Sequence, residues 1–462
     1  MAHTVSVVYG STTITLSAGD YRLRRYARKT AEGSEDYIEE SMDILVTGTN
    51  LAGLTSDLRA INRAFEIAKL RADGRLFARV YLQVTGDGET TTWQTEILGG
   101  RVLLPESLYE ADWANKQVEI TLAYSRAPFW EGDTWIAVPL TNGNGTDLTS
   151  GIRVYNCNDA TGSSPARKHN YVDVDGVNDI SSELPCPVKL RFLSNAANGH
   201  REVYIGSQAD LSGFGLTGNH LEAEDFTAAS GSDTAGAAYS GGYAVETAPV
   251  AGVLTETLSK ASWDLSAFPG SHYRFFLCTA TNSLAGCKAW MKLVGMGGGL
   301  VPASSGLITT KVIVPDATYI IPLGDMPLPT NRSRSPLIST AGIFSARAFV
   351  YLEGGDVTAF TDVLYFLPTD SWLELATDTG GFGESVSYVI TQNDLDPKTY
   401  VEEVTGGEVN PDLITTVKGG GVYLWPGVNN RVHFLASGFN GAYSISSYLT
   451  VEMWYKPRRQ TL

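Results

Sequence analysis

The segment HLEAEDF, residues 220–226, holds three carboxylates within seven residues and is the part of the chain that most resembles a catalytic site. Because side chains alternate between the two faces of a strand, Glu222 and Glu224 share one face while Asp225 points to the other. Two carboxylates can hydrolyse a glycosidic bond when they flank the substrate, one as acid and the other as nucleophile or base. Neighbours on one face of a strand more often bind a cation or face water. We therefore expect cation binding or solvent exposure at Glu222 and Glu224 rather than catalysis.

Other residues with catalytic or metal-binding chemistry are scattered along the chain. None of the six histidines has the HxH or HExxH spacing of a metal site, and the sequence has no GxSxG elbow and no phosphate-binding loop. The cysteines lack the CxxC spacing of a zinc site; they are Cys157, Cys186, Cys278 and Cys287. We expect buried thiols, with a bridge between Cys278 and Cys287 as the alternative in an oxidising medium. We therefore expect no catalytic residues and no cofactor.

The charge and hydropathy patterns exclude two classes of partner. The chain of 462 residues has a formal net charge of −16, which argues against nucleic acid or an anionic membrane as the main partner. No apolar run reaches the roughly 18–20 residues that a membrane span requires. The first residues, MAHTVSVVYG, lack the basic and apolar regions of a signal peptide, so we expect synthesis in the cytoplasm.

One strong helical pattern lies near the N-terminus. Apolar residues recur at spacings of three and four between Leu51 and Ala72; they are Leu51, Leu54, Leu58, Ile61, Phe65 and Ala68. Thr49 or Asn50 can cap the start of this helix. Alternating segments on both sides, two of them joined by the hairpin turn GDGE, predict an antiparallel sheet with one face covered by the helix. Residues 1–132 are therefore predicted to form an α+β domain.

The remainder of the chain is predicted to be a β protein, so the fold class is mainly β. The 48 glycines, together with many Thr, Ser, Val and Tyr residues, are typical of short strands joined by tight turns. Residues 133–180, rich in Gly, Asn and Thr, indicate a connector. The candidate strands in residues 181–375, without a second helical pattern, favour a large two-sheet sandwich of jelly-roll type. Residues 376–462 are predicted to complete this sandwich or to pack on it.

Six aromatic residues in the predicted sandwich have two interpretations; they are Tyr243, Trp263, Tyr273, Phe275, Phe276 and Trp290. A two-sheet core requires large apolar side chains, which accounts for at least half of them. Aromatic rings that reach solvent can instead stack on sugar rings. Exposed aromatic residues beside Glu222 or Glu224 would therefore indicate a sugar-binding surface.

The order of segments in the first domain resembles a known family. ESMDILVTGTNLAGLTSDLRAINRAFEIAKL is followed by RVYLQV, TEILGGRVLLP and KQVEITLAYSRAPFWEG. This order is similar to that of the N-terminal domain of tailed-phage distal tail proteins and related minor tail proteins. The resemblance spans about residues 35–132 and rests on pattern rather than on an invariant motif. Residues 432–462 also resemble the C-termini of phage minor tail proteins.

The resemblance implies a sheet with one helix, of which six copies join through their sheets into a hexameric ring at the tail end. It implies that the ring joins the tail tube and tail hub to the host-recognition apparatus, in a virion tail whose proteins are made in the host cytoplasm. EAEDF, followed by AYSGGYAVET, separately resembles the opening strands of jelly-roll carbohydrate-binding modules. In those modules an early glutamate pair often helps to hold a structural calcium ion, which makes Glu222 and Glu224 candidate calcium ligands.

Three functions remain open at this point. The leading hypothesis is a non-enzymatic structural protein of a phage tail tip or baseplate, which assembles as a homo-oligomer through paired sheet edges. The second is a module that binds a cell-surface glycan or receptor, which requires an exposed aromatic residue beside polar groups. The third is a glycan-cleaving enzyme, which requires two carboxylates that face one cleft at roughly 5–10 Å.

Overall fold

The protein is described here from a computed structural model. The described residues are 3–28, 37–73, 75, 78–104, 114–142, 145–147, 151–157, 169–194, 200–210, 219–228, 232–236, 240–248, 252–264, 272–279, 288–296, 306–308, 320–327, 345–353, 359–369, 371–376, 387–393, 396–405, 408–410, 416–438, 445 and 448–460. The chain divides into two compact units. The first consists of Met1–Trp135, Ser182–Leu184 and Lys456–Leu462, and the second of Ile136–Ser181 and Pro185–Tyr455.

The first unit is built on a nine-stranded antiparallel sheet, here called sheet A. Its strands are β1 (Thr4–Tyr9), β2 (Thr12–Thr15), β3 (Tyr21–Arg28), β4 (Ile38–Thr47), β5 (Val80–Thr85), β6 (Thr92–Leu103), β7 (Gln117–Arg126), β8 (Trp130–Gly132) and β35 (Arg458–Arg459). The central order is β2-β1-β5-β6-β7-β4-β3, and β8 pairs with both β6 and β35. The predicted GDGE hairpin joins β5 to β6, and its Gly88 has a φ of 79°, a conformation that favours glycine.

Helix α1 spans Leu51–Ala72, as the apolar spacing predicted. The Asn50 side chain caps it by accepting a hydrogen bond from the Gly53 amide at 2.8 Å. α1 packs on one face of sheet A, chiefly against β6. Leu58 is only partly buried, whereas the residues that α1 buries fully are Leu54, Ile61, Ala64, Phe65 and Ala68.

The core of the first unit contains a buried ion pair. The side chains of Arg126 and Glu40 are 1% and 0% exposed, and Arg126 Nη2 donates to Glu40 Oε1 at 2.8 Å. The Tyr124 hydroxyl donates to the second Glu40 oxygen at 3.3 Å. Arg126 Nη1 donates to the Ala127 carbonyl at 2.7 Å, and the guanidinium lies 4.8 Å from the Trp130 ring centroid. Both charges are therefore compensated by protein groups, which buried charges require.

The last strand of the described chain belongs to the first unit. In β35, Arg458 pairs with Glu131 of β8 and Arg459 pairs with Trp130. Arg458 Nη2 lies 2.8 Å from Glu131 Oε1, and the Arg459 guanidinium lies 3.8 Å from the Trp93 ring centroid. The basic end of the sequence therefore forms an edge strand of sheet A. The sequence pattern instead predicts that residues 376–462 complete the sandwich or pack on it.

The second unit contains two pairs of antiparallel sheets, and the first pair, sheets B and C, forms the first sandwich. Sheet B consists of β10 (Leu140–Asn142), β11 (Gly145–Asp147), β13 (Tyr171–Val174), β15 (His200–Ala209), β27 (Trp372–Ala376), β31 (Thr416–Lys418) and β33 (Asn430–Gly438). Sheet C consists of β9 (Ile136–Ala137), β12 (Ile152–Tyr155), β14 (Cys186–Ser194), β28 (Ser387–Asn393), β29 (Asp396–Thr405), β30 (Glu408–Asn410), β32 (Tyr423–Leu424) and β34 (Tyr448–Tyr455). Their shared core includes Val172, Leu190, Ile205, Phe434 and Met453.

The second pair, sheets D and E, forms a second sandwich inserted into the first. Sheet D consists of β16 (His220–Glu222), β18 (Ser232–Ala235), β19 (Tyr243–Thr247), β21 (His272–Thr279), β24 (Ile320–Pro327) and β26 (Ala359–Pro368). Sheet E consists of β17 (Thr227–Ala228), β20 (Thr255–Asp264), β22 (Lys288–Met296), β23 (Gly306–Ile308) and β25 (Ser345–Glu353). All these strands lie between β15 and β27, which pair with each other in sheet B. Residues 219–368 are therefore an insertion in the β15–β27 connection.

Two central strands of sheet D, β21 and β26, are buried on both faces. On one face Phe276 and Tyr365 pack against Tyr204 of sheet B. On the other face the buried rings of Phe275 and Phe366 have centroids 5.7 Å apart. Because both faces are covered, these strands are almost continuously apolar rather than alternating.

The mainly β fold class with an N-terminal helix is confirmed. Outside the first unit, the segments of the chain that form each sandwich differ from the predicted domain limits. Residues 133–180, predicted as a connector, contribute β9 to β13 to the first sandwich. Residues 181–375 hold the whole inserted sandwich but only part of the first, whose other strands come from residues 136–174 and 387–455. Among the described helices, none is long and apolar enough to cross a membrane.

Candidate functional site

Glu222 ends β16, where it pairs with Val363 of β26. A 3-10 turn over Ala223–Asp225 follows at once. The strand alternation that the sequence predicted for residues 222–225 therefore stops at Glu222 and does not place Glu222 and Glu224 on one strand face. The Glu224 side chain lies outside the described part of the structure, and Asp225 is exposed.

The Glu222 carboxylate instead holds a second short turn. The Ser240 hydroxyl donates to Glu222 Oε1 at 2.8 Å, and the Ser240 backbone amide donates to the two oxygens of Asp362 at 2.9 and 3.1 Å. Asp362 lies on β26 and is fully buried. Two carboxylates from different strands thus fix the start of the turn Ser240–Gly242.

His220 belongs to the same group, because its Nε2 lies 3.4 Å from Glu222 Oε1. Burial lowers the pKa of His220 to about 4, and the negative charge of Asp225 only partly opposes this effect. His220 is therefore neutral near pH 7, and its contact with Glu222 is polar rather than an ion pair.

The described cysteines are buried free thiols, as the sequence predicted; they are Cys157, Cys186 and Cys278. Burial, followed by the carboxylates of Asp362 and Glu222, raises the pKa of Cys278. A thiol with a raised pKa is a poor nucleophile at neutral pH. Cys287 lies outside the described residues.

The hydrogen bonds of Glu222 and Asp362 occupy oxygens that a calcium ion at this site would need as ligands. Calcium takes about six to eight oxygen ligands, whereas Glu222 Oε1 and the Asp362 carboxylate accept hydrogen bonds from Ser240. Within the described residues, no group of three or more His, Cys, Asp or Glu side chains is placed to hold a metal ion. Calcium binding at Glu222 and Glu224 stays a prediction. The described geometry supports an anchoring role for Glu222.

Glu222→Gln is expected to lower the free energy of unfolding of the second unit by about 1–2 kcal/mol, because a charge-assisted hydrogen bond becomes a neutral one. Guanidinium denaturation should give the same loss with calcium and with a chelator. The matched control Asp225→Asn, on the same segment but exposed, should change the value by less than about 0.5 kcal/mol. A loss seen only in calcium would instead show that Glu222 is a metal ligand.

The aromatic residues singled out in the sequence divide between core and surface. Tyr273, Phe275 and Phe276 are fully buried, and Tyr243 is 46% exposed. Trp290 on β22 is half-buried, and the Trp263 side chain lies outside the described part. Sequence reasoning missed Tyr351 on β25, which pairs with Trp290, and Phe349 two residues before it. Their signal is the period of two in FVYLE, which places Val350 and Leu352 on one strand face and the two rings on the other.

The face of sheet A opposite α1 is a further candidate site, here called the open sheet face. Pairing across β4, β7 and β6 places Ser41, Ala123 and Arg101 in one row. A groove of about 590 Å³ lies over these strands, and Leu103 in its lining is 38% exposed. The side chains of the open sheet face are those of Glu39, Ser41, Arg101, Leu103, Thr121, Ala123 and Ser125.

Comparison with known proteins gives only distant similarity. No protein-family model matches the sequence, and no curated protein matches it. Two structures of the phage p2 baseplate in its activated conformation, with strontium and with calcium, share 8% and 9% identity with the chain at a TM-score of 0.25. The alignments cover 78% and 79% of this chain and 97% and 98% of those chains. A galactose complex of exo-β-1,3-galactanase from Phanerochaete chrysosporium has 12% identity and a TM-score of 0.20, over 75% of this chain and 82% of that chain. Scores this low carry no argument about function.

Proposed function

We propose that the chain is a structural protein of a phage tail tip or baseplate, located in the virion tail. In this proposal the first units of several copies, six by the family resemblance, join into a ring. The ring connects the tail tube and tail hub to the host-recognition apparatus, and the second unit carries the sandwiches that face other partners. Its work is assembly rather than catalysis.

The observation that carries the proposal is the asymmetry of sheet A. One face is covered by α1 and holds the apolar core, which agrees with the sheet-plus-helix domain that the family resemblance implies. Most side chains of the open sheet face are small or short and polar, with a groove over them, and the exposed Arg101 and Leu103 lie on β6. A broad, grooved surface with mainly small side chains allows close approach of a second copy, as a closed ring requires.

An additional arginine on the open sheet face, next to the native Arg101, is expected to weaken assembly. Ala123→Arg places a long charged side chain at the centre of the proposed contact and should raise the concentration of half-dissociation at least ten-fold. The control Asn62→Arg adds the same charge on the exposed surface of α1 and should leave assembly unchanged. Light scattering across a concentration series of the full chain gives the concentration of half-dissociation of each variant. Equal association of the two variants would move the contact away from the open sheet face.

A glycan-binding role for the inserted sandwich is the second candidate, and it is compatible with the first because it uses a different unit. The observation that favours it is a group of half-buried aromatic side chains on sheet E, which are Trp290, Phe349 and Tyr351. Its partner would be a cell-surface glycan. Enzymatic cleavage has less support, because Glu222 of the predicted site and the nearby Asp362 both accept hydrogen bonds from Ser240.

A further inference from the structure

The inserted sandwich contacts the first sandwich through sheets D and B, and the buried contact between these two sheets is here called the sandwich seam. On sheet B it contains Tyr204 and Leu435, and on sheet D it contains Phe276, Cys278 and Tyr365. The rings of Tyr204 and Phe276 have centroids 4.6 Å apart. The seam is therefore an apolar contact between two sandwiches, one of which the chain enters after β15 and leaves before β27.

His433 lies on the face of sheet B that forms the seam. Along β33, Phe434 belongs to the core of the first sandwich and Leu435 belongs to the seam, so strand alternation places His433 on the seam side. His433 pairs in register with Gly206 of β15. A Cβ atom on residue 206 would lie 2.7 Å from the Pro368 carbonyl oxygen of β26. Sheets B and D are therefore in close contact beside His433.

The seam buries polar groups that have no hydrogen-bond partner among the described residues. The His433 ring is 0% exposed, and both of its nitrogens lack such a partner. Nε1 of Trp372, a seam residue of β27, lacks one as well. A buried donor or acceptor without a partner costs free energy that hydration recovers. The closed seam therefore combines favourable apolar contact with an unfavourable polar contribution that opening would relieve.

The charges and rings of sheet B around His433 disfavour a proton on its ring. Arg431, also on β33, binds Asp173 of β13 with Nε 2.6 Å from Oδ1, and its guanidinium lies 3.8 Å from the Tyr171 ring centroid. The Tyr171 ring lies 6.0 Å from the His433 ring and 4.9 Å from the His169 ring, measured between centroids. Burial, followed by repulsion from the Arg431 charge, lowers the pKa of His433 well below its usual value.

Sheet D brings a second histidine to this region. Nε2 of His220 lies 3.4 Å from Glu222 Oε1, and the charge of Asp225 also acts on His220. The other charged groups of the seam form one ion-pair network; they are Arg274, Asp325, Glu374 and Lys418. Ordinary carboxylates titrate near pH 4. Between about pH 6.5 and pH 5, histidine protonation is therefore the main change of charge in the seam.

We propose that the sandwich seam is an acid-operated joint, in which protonation of His433 separates sheet D from sheet B while both sandwiches stay folded. An exposed histidine titrates near pH 6.5, so below that pH the open form binds more protons than the closed form. The closed form is fully favoured above about pH 6.5, and its advantage falls about ten-fold per pH unit below it. The joint belongs to the second unit and does not depend on assembly of the first.

The test is thiol labelling of the full chain with dithiodipyridine at pH 7, 6 and 5, followed for each cysteine by peptide mass spectrometry. Cys278 lies in the seam, Cys186 lies in the core of the first sandwich, and both are 0% exposed. Each rate is divided by the rate of the same cysteine in the guanidinium-denatured chain at the same pH, which removes the pH dependence of thiol reactivity.

The Cys278 ratio should rise at least about ten-fold from pH 6 to pH 5. It should also exceed the Cys186 ratio at least about a hundred-fold at pH 5, because the first sandwich stays folded when the seam opens. His433→Phe keeps a ring that cannot be protonated and should reduce the rise of the Cys278 ratio by about ten-fold. Gly206→Ala forces the Pro368 carbonyl away and should raise the Cys278 ratio by a similar factor at every pH.

Three results would overturn the proposal. The first is a Cys278 ratio in the parent protein that is the same at pH 6 and pH 5. The second is equal ratios for Cys278 and Cys186, which would show that Cys278 is labelled only when the whole second unit unfolds. The third is a His433→Phe profile that matches the parent profile. The first two comparisons use the parent protein alone, so they decide the proposal even where a variant does not fold.

Discussion

Replacing Arg126 with Met is expected to lower the free energy of unfolding of the first unit by about 3–5 kcal/mol. The change removes the positive partner of Glu40, whose side chain is 0% exposed, and leaves a buried carboxylate that accepts a neutral hydrogen bond from the Tyr124 hydroxyl. Breaking one half of a buried ion pair costs this much because the other charge stays desolvated. Hydrogen exchange of the α1 amides reports on this unit and gives the value.

The double variant Glu40→Leu/Arg126→Met distinguishes a lost attraction from an uncompensated charge. It should recover most of the loss, since replacing both members of a buried pair with apolar residues is often close to neutral. The control Arg63→Met removes an exposed arginine of α1 and should cost less than about 0.5 kcal/mol. If Arg126→Met costs no more than this control, the pair does not stabilise the core.

Lowering the pH is expected to destabilise the second unit at pH values well above those at which ordinary carboxylates titrate. His200 and His433 are both 0% exposed, and neither ring nitrogen of His433 has a hydrogen-bond partner among the described groups. Burial lowers the pKa of His200 to about 4. Burial, followed by repulsion from Arg431 and from His220 when it is protonated, lowers the pKa of His433 well below its usual value.

The direction of this effect follows from proton binding. Histidine in the unfolded chain titrates near pH 6.5, so below that pH the unfolded state binds more protons than the folded state. Stability is therefore full above about pH 6.5 and falls as the pH drops towards 4, by about 1.4 kcal/mol per pH unit for each such histidine. Guanidinium denaturation between pH 7 and pH 5, followed by hydrogen exchange in β15 and β33, measures the slope.

Two variants test whether the buried histidine rings cause the change of the free energy of unfolding with pH. His433→Phe should reduce the slope by about 1.4 kcal/mol per pH unit, because its ring no longer titrates. His3→Gln, at an exposed position of the first unit, should leave the slope unchanged. A flat profile between pH 7 and pH 5, or the same slope in His433→Phe, would contradict the prediction.

Local pattern explains why the first unit was predicted well. The limits of α1 followed from apolar spacing and the Asn50 cap, which are encoded within one segment. The buried pair could also have been found from sequence, because Glu40 and Arg126 occupy the inward positions of strands whose other inward residues are apolar, such as Met42 and Leu122. A charged residue at a core position of an alternating strand is a signal for a buried partner.

The second unit was predicted less well because its organisation depends on pairing between distant segments. β15 and β27 are neighbours in sheet B although residues 219–368 separate them, and no local pattern marks such an insertion. The strands of residues 133–180 have only two to four residues, too few for an alternation to be visible. Likewise Ser240, which binds both Glu222 and Asp362, lies in another segment, and the only signal was one aspartate in the apolar strand AFTDVLYFLP.

Negative-stain electron microscopy of the purified full chain shows directly whether the first unit forms a ring. A fragment that ends at residue 132 would be a poorer sample, because it lacks β35, which pairs with β8. We expect closed rings of six copies and a solution mass near six times the 49.7 kDa of the chain. Single particles with the mass of one chain at every concentration would contradict it.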